Sequence, residues 1–140
     1  FPGVKAFLDQ VRVDAAKNGY VETLYGRRRY FPNLQNSTNM AQKRREEREA
    51  INSPIQGTAA DIMKVAMIGI YPALEKAELH GRLLLQIHDE VMIECPETEL
   101  DETLALIREV MENAIMLSIP LSTEAKVGKN WAEMTVVESP

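Results

Sequence analysis

Cysteine, histidine and tryptophan are scarce in this sequence, and long apolar runs are absent. The 140 residues include one cysteine, Cys95, which excludes a disulfide framework and a cysteine-based zinc site. A lone cysteine is typical of a reducing compartment, so we expect a cytoplasmic protein. No apolar run approaches the roughly 20 residues that cross a bilayer, and we expect no membrane partner. The chain opens at Phe1 with neither an initiator methionine nor a charged leader, so we expect a preceding segment to be missing.

The charges are unevenly divided along the chain. Residues 1–50 carry ten Lys and Arg against six Asp and Glu, whereas residues 51–140 carry six against fifteen. The net charge of −5 argues against a protein that simply coats nucleic acid. A basic first third beside an acidic remainder suits a protein that holds a polyanion with one surface and metal ions with another. Solvated faces of unequal charge would give the same counts.

Hydrophobic periodicity and turn residues predict an α+β fold, with antiparallel β-hairpins packed against long helices. Helices are predicted over residues 1–18, 41–51, 56–79 and 97–118. Strands are predicted over residues 20–25, 27–31, 82–88, 91–95 and 121–127, with a loop over 32–39. Ser53-Pro54 should break or kink the helical pattern, because the residue before proline avoids the α region. The stretch from Ala59 to Ile70 is apolar almost all round and should be deeply buried.

The segment Gln86–Val91 contains two adjacent carboxylates at a predicted tight turn, Asp89 and Glu90. Two-residue hairpin turns favour Asn-Gly or Asp-Gly, and glutamate does not readily adopt the positive φ that they require. Such a conflict with local preference is expected at functional sites. Carboxylate oxygens are the ligands that Mg²⁺ takes, so the turn predicts a metal site, with a solvated acidic turn as the alternative.

A polar set with a spacing of four residues, Arg48, Asn52 and Gln56, precedes and follows the proline. If the helix bends only mildly, these side chains share one face. Their groups suit base edges and sugars in a DNA groove. The small residues Gly57 and Ala59 would allow a duplex or another backbone to approach closely. An ordinary polar helix face explains the same pattern.

Three consecutive arginines, Arg27, Arg28 and Arg29, lie on the first predicted hairpin. Guanidinium groups bind phosphate well, so the hairpin is a candidate contact for a nucleic-acid backbone. Solvated surface charge is an equally good explanation of this motif taken alone.

Taken together and in this order, these segments resemble family A DNA polymerases, of the bacterial DNA polymerase I type. The matching stretches are Gly19–Tyr30, Ala50–Asp61, Leu84–Val91, Val127-Gly128 and Trp131. The resemblance covers nearly the whole chain. It implies that residues 1–140 form the C-terminal part of a polymerase palm, in an enzyme that adds deoxynucleotides to a primer 3′ end.

The resemblance also implies a role for each matching residue. Asp89 falls on the aspartate that binds the catalytic metal ions, which are two Mg²⁺ ions in the intact site. Glu90 falls on the acidic residue beside the metal and the primer end, and His88 matches a residue near the primer-terminal sugar-phosphate.

Primer–template DNA and deoxynucleoside triphosphates are the implied partners. Arg48, Asn52 and Gln56 match helix residues that contact the duplex from the minor groove. The hairpin arginines resemble part of the duplex-facing palm.

Two parts of the family pattern have no counterpart in this sequence. There is no Asp-Tyr-Ser type segment to supply the first metal-binding aspartate, and there is no fingers helix to bind the triphosphate. Two-metal phosphoryl transfer needs ligands that bridge both ions. We therefore expect a fragment or one half of a split polymerase, inactive without the N-terminal polymerase segment.

Two alternatives remain open. One is a duplex-DNA-binding module without catalytic activity. The other is a metal-dependent phosphohydrolase that uses Asp89, Glu90 and Glu94, which is disfavoured because no other carboxylate cluster has metal-ligand spacing.

Overall fold

The computed structural model describes residues 1–36 and 38–137, where helices alternate with short antiparallel strand pairs. The helices are α1 (Pro2–Asn18), α2 (Asn33–Asn36), α3 (Met40–Lys76) and α4 (Leu100–Glu112). The strands are β1 (Tyr20–Glu22), β2 (Arg28–Tyr30), β3 (Arg82–Ile87), β4 (Glu90–Glu94), β5 (Ala125–Val127) and β6 (Thr135–Val137). Each strand pairs with its sequence neighbour, so the predicted class of antiparallel hairpins with long helices is confirmed. The chain divides into two compact units, Phe1–Asp61 and Ile62–Pro140.

The core of the first unit holds the C-terminal half of α1. Ala15 is fully buried and Val11 packs against the same cluster, whereas Phe7, nearer the start of the helix, stays 47% exposed. The remaining core members are Val21, Phe31, Leu34 and Ala50. The helix ends as predicted at Gly19, whose N–H donates to the Ala15 carbonyl at 2.9 Å.

The segment predicted as a loop over residues 32–39 includes a short helix, α2, so that prediction was wrong in part. Leu34 explains the helix, because it is 3% exposed and its N–H donates to the Phe31 carbonyl at 3.2 Å. Asn33 fixes the start of the helix, since both its backbone and its side-chain N–H groups donate to Glu46. The polar residues of this segment predicted a loop, but the burial of Leu34 favours a short helix.

Helix α3 runs without interruption through Ser53-Pro54, so the predicted break between two helices was wrong. A proline inside a helix removes one hydrogen bond and costs about 3 kcal/mol. Buried contacts lie on both sides of it. Ala50 is fully buried in the core, and the Thr58 hydroxyl accepts from the Leu24 N–H at 3.0 Å. Tertiary contacts therefore keep the segment helical.

The apolar stretch of α3 is less buried than its sequence predicted. Ala66 and Ile70 are 2% and 0% exposed, but Val65 and Ile68 are 37% and 74% exposed. The prediction of deep burial from Ala59 to Ile70 was therefore wrong, because only one side of the helix packs on a core. Within the part of the chain that the structure describes, no helix combines the length and apolarity that a membrane crossing requires.

The core of the second unit brings α3 and α4 together with the second hairpin. Its buried members are Ile70, Leu74 and Ile107, and Leu83, Val91 and Ile93 of the hairpin pack against them. Helix α4 ends at Glu112 rather than at residue 118.

Asn113 accounts for the early end of α4. Its side-chain amide donates to the Glu109 carbonyl at 2.8 Å, and the Glu112 carboxylate accepts from the Thr123 N–H and hydroxyl. The predicted strand over 121–127 is confirmed only as β5, and its partner β6 was not predicted.

Candidate nucleic-acid interface and metal site

The turn between β3 and β4 contains His88 and Asp89, because Ile87 pairs with Glu90. The predicted turn, Asp89-Glu90, was one residue too late. His88 takes a positive φ of 54°, which histidine adopts more readily than most residues, while Glu90 lies in the strand where its φ is unstrained. An irregularity between Leu83 and Leu85 accommodates the register, and such bulges are frequent next to active sites.

The tip of this hairpin presents two carboxylates. Asp89 and Glu90 are exposed, and neither forms an ion pair or side-chain hydrogen bond within residues 1–36 and 38–137. The turn is fixed from beneath by Gln86, whose amide donates to the His88 carbonyl at 2.6 Å. The carboxylates are therefore available to a group outside this chain.

The described residues do not by themselves build a complete metal site. Nowhere among them do three or more His, Cys, Asp or Glu side chains cluster as metal ligands would. Asp89, Glu90 and Glu94 thus do not form the three-carboxylate cluster that the phosphohydrolase alternative needs. Asp89 and Glu90 remain candidate oxygen ligands for a site completed by further groups.

Helix α3 carries Arg48, Asn52 and Gln56 in a single row. Because the helix is continuous, the spacing of four places them on one face, as predicted for a mild bend. All three are exposed, and none has a side-chain hydrogen bond to any other described residue. The row therefore offers free donors and acceptors of the kind that a DNA groove takes.

The three hairpin arginines, in contrast, are each paired inside the first unit. Arg27 donates to Asp61 at 2.8 Å, Arg28 to Glu22 at 2.6 Å and Arg29 to Glu49 at 2.6 Å. The hydrogen bond from Arg28 to Glu22 raises the pKa of that guanidinium. The arginine motif predicted phosphate contacts and did not reveal these partners. Glu49 and Asp61 lie 20 and 34 residues along the chain from the arginines that they bind.

Ring contacts add to the arginine pairs. The Arg28 guanidinium lies 4.4 Å from the centre of the Tyr20 ring, and that of Arg29 lies 5.2 Å from the buried Phe31 ring. Cation–π contacts of this kind favour a fixed guanidinium orientation. The arginines are therefore held by the fold, although each side chain is about half exposed.

Glu49 is one of the residues of α3 that accept hydrogen bonds from the hairpin arginines. Its carboxylate binds Arg29 at 2.6 Å and Arg45 at 2.9 Å. The pKa of Glu49 is lowered, chiefly by the hydrogen bond from Arg45. Burial is the next influence and opposes it, and the charges of Arg45, Arg29 and Arg48 lower the pKa further. The carboxylate is therefore ionised at neutral pH and binds both arginines.

Comparison with protein families identifies the class of the molecule. The family model for DNA polymerase family A matches residues 1–133. The chain belongs to DNA polymerase family A.

Among individual relatives, DNA polymerase I, thermostable, of Thermus filiformis is 47% identical over 133 residues, and DNA polymerase I of Chloroflexus aurantiacus is 47% identical over 136 residues. These alignments cover 95% and 96% of this chain but only 16% and 14% of the relatives. A solved structure, the POL domain of Pol1 from M. smegmatis in complex with DNA primer-template and dNTP, superposes with a TM-score of 0.83 at 48% identity. It covers 87% of this chain, which spans 21% of that structure.

Proposed function

We propose that residues 1–140 are the C-terminal part of the palm of a DNA-directed DNA polymerase that extends a primer 3′ end. The observation that carries the proposal is the strained, glycine-free turn at His88-Asp89, which projects two unpaired carboxylates. Family membership supports it, and so does the likeness to a polymerase domain solved with DNA primer-template and dNTP. A cytoplasmic location is part of the proposal.

Asp89 is the proposed ligand of the catalytic Mg²⁺ ions, with Glu90 beside the metal and the primer end. Carboxylate oxygens are hard ligands, and those of Asp89 and Glu90 have no partners in the described chain, which fits that metal. Two Mg²⁺ ions bound there would neutralise the charge that develops on the attacking and leaving oxygens. The described residues contain no three-ligand cluster, and we propose that the N-terminal polymerase segment supplies the other ligands.

The primer–template duplex is the proposed partner of the α3 row. Arg48, Asn52 and Gln56 would contact the minor groove near the growing end, where the acceptors are shared by all correct base pairs. His88 would lie near the primer-terminal sugar-phosphate. Phosphate contact was the predicted role of the hairpin arginines, but each guanidinium has an internal partner that competes for the same groups.

The isolated chain is proposed to be inactive. One metal aspartate cannot hold two bridged ions, and the chain has no matching segment to bind the triphosphate of the incoming deoxynucleotide. One half of a split polymerase and a duplex-binding module without catalytic activity are the alternatives for the isolated chain.

A primer-extension assay with Mg²⁺ and deoxynucleotides separates these proposals. The chain alone, the chain with a supplied N-terminal polymerase segment, and the same pair with Asp89→Ala are compared. Extension only by the wild-type pair supports a split polymerase. Duplex binding without extension in every mixture supports the binding module. Extension by the chain alone, lost on Asp89→Ala, would contradict the proposal that it is inactive.

A further inference from the structure

Arg27 and Arg29 contact α3 at four residues with a constant spacing. Arg29 donates to Glu49 Oε2 at 2.6 Å and to Ser53 Oγ at 3.2 Å. Arg27 donates to the Gly57 carbonyl at 3.1 Å and to Asp61 Oδ1 at 2.8 Å. The four contacted residues are Glu49, Ser53, Gly57 and Asp61. A spacing of four places them in one stripe along the helix, next to the row that begins at Arg48.

The stripe brackets the weakest point of the helix. Pro54 has no N–H, so the Ala50 carbonyl lacks its usual helical donor, and the helix is prone to bend there. Arg29 binds residues just before the proline, and Arg27 binds residues just after it. Ser53 belongs to the same network, because its hydroxyl donates to the Glu49 carbonyl at 2.6 Å. The two guanidinium groups therefore hold both sides of the proline against one hairpin.

The hairpin that carries these arginines lies unusually close to α3. A Cβ at Gly57 would be 2.7 Å from Thr23 Cγ2, so a side chain larger than that of glycine would push the hairpin away. The Leu24 N–H donates to the Thr58 hydroxyl at 3.0 Å on the same turn of the helix. Thr23 itself is fixed, because its hydroxyl accepts from the N–H groups of Tyr25 and Arg27. A displacement of the hairpin would thus be transmitted to α3.

We infer that Arg27 and Arg29 are positioning residues, which hold α3 in line across Pro54 and thereby align Arg48, Asn52 and Gln56 for the duplex. The inference rests on the proposed function, in which that row contacts primer–template DNA. Each arginine acts through the helix, by hydrogen bonds to α3 and not by contact with a phosphate. A misplacement of about 1 Å in a positioning group can lower a reaction rate about a hundredfold.

Removal of the acceptor distinguishes positioning from phosphate binding. In the complete polymerase, Arg29→Ala and Glu49→Ala should each lower kcat/KM for primer extension by about tenfold or more. The double variant should be no more impaired than the worse single variant, because both substitutions break the same contact, that between Arg29 and Glu49. If Arg29 bound phosphate, Glu49→Ala would free it and would leave extension unchanged or improved, which would overturn the inference.

Three further measurements distinguish positioning by Arg29 from a general loss of stability and from a lost phosphate contact. If Arg29 acts by aligning Arg48, Asn52 and Gln56, adding Arg29→Ala to Gln56→Ala should lower extension little further. An independent structural defect would lower it by the full amount that Arg29→Ala causes alone. The dependence of duplex affinity on salt should keep its slope in Arg29→Ala, since losing one phosphate contact reduces that slope by about 0.9. Arg29→Lys keeps the positive charge but lacks the planar guanidinium that binds two acceptors at once. It should therefore extend primers little better than Arg29→Ala.

Arg45→Ala is the matched control. It removes the other ion pair of Glu49, at 2.9 Å, and leaves the contact with Arg29 in place, so kcat/KM should stay within about twofold of wild type. Normal extension by Gln56→Ala would contradict the proposed function and the inference together. If Gln56→Ala impairs extension, the proposed function stands, and two results would then overturn the inference alone. One is a reduced salt slope in Arg29→Ala, and the other is normal extension by Glu49→Ala.

Discussion

The hairpins β1–β2 and β3–β4 make tight turns with different residues. In the first, Gly26 takes the left-handed position with φ of 77°, and the charged side chains around it are paired within the fold. In the second, the left-handed position belongs to His88, and Asp89 and Glu90 have no partner among the described residues.

The two hairpins thus differ in whether their charged side chains have partners within the fold or are exposed and unpaired. A residue other than glycine in the left-handed region costs of order 1 kcal/mol, which persists only where the surroundings impose it. The first hairpin avoids that cost and uses its arginines to bind α3. The second hairpin accepts the cost and leaves its carboxylates exposed. We therefore expect substitutions in the second hairpin to affect catalysis and those in the first to affect geometry and stability.

The largest expected effect is that of Asp89→Ala in the complete polymerase. If the carboxylate holds metal and not DNA, incorporation should be abolished while duplex binding stays mostly intact. Single-turnover incorporation and duplex affinity, measured side by side, check this. Asp101→Ala, at an exposed acid in the first turn of α4, controls for the loss of charge. A variant that retains more than roughly a tenth of wild-type kcat, a loss below about 1.4 kcal/mol, would contradict the role.

A smaller effect is expected from the α3 row. Gln56→Ala and Arg48→Ala should each weaken primer–template affinity by about 1 to 3 kcal/mol, because groove contacts of this type have that value. The Mg²⁺ dependence of the residual activity should not change. Equilibrium binding of a primer–template duplex and a Mg²⁺ titration check both statements, with Arg12→Ala on α1 as the charge control. Unchanged affinity and unchanged extension in both variants would remove the row from the site.

The features that the sequence predicted well depend on local chemistry. Periodicity defines α1, and Asn18-Gly19 marks its end. The hairpins β1–β2 and β3–β4 follow from β-forming residues around a turn. The position of the second turn was missed by one residue, because the choice between His88 and Glu90 for the positive φ depends on strand register.

The features that it missed depend on distant partners. Pro54 stays inside α3 because Ala50 is buried in the core of the first unit and the Thr58 hydroxyl binds the hairpin, which no local preference for helix or turn reveals. The arginine motif is the same for phosphate binding and for internal pairing, and only the acceptors Glu49 and Asp61 decide between them. The expected function came from the family resemblance of the motifs taken together. The division of the charged side chains between internal partners and groups outside the chain could not be predicted from the sequence.

Gly57→Ala tests how closely the first hairpin must lie against α3. The new Cβ would be 2.7 Å from Thr23 Cγ2, and Thr23 cannot turn away without losing hydrogen bonds in the turn. Overpacking of about 1 to 3 kcal/mol, less about 1 kcal/mol gained by removing a helical glycine, predicts a net loss of up to about 2 kcal/mol. Urea denaturation measures it. Gly3→Ala, where nothing lies within 4 Å, should be neutral or stabilising, and equal effects of the two substitutions would contradict the close approach.

The smallest expected effect is a pH dependence of the contact between the first hairpin and α3. The hydrogen bond from Arg45, and then the charges of Arg45, Arg29 and Arg48, lower the pKa of Glu49 below its ordinary value of 4.5. A carboxylate with a lowered pKa stabilises the fold fully above that ordinary value and loses its contribution as the pH falls through the lower, folded-state value. The free energy of unfolding of wild type should therefore exceed that of Glu49→Gln at pH 7, and the gap should close below about pH 4.5.

Because Glu49 is a third exposed, the gap should be small, and it is measured as the difference between urea curves at matched pH. Glu47→Gln, at a neighbouring carboxylate without an ion pair in the described chain, is the control for the loss of one negative charge on α3. A gap that is constant or widens on acidification for Glu49→Gln would mean that its pairs with Arg29 and Arg45 do not stabilise the first unit.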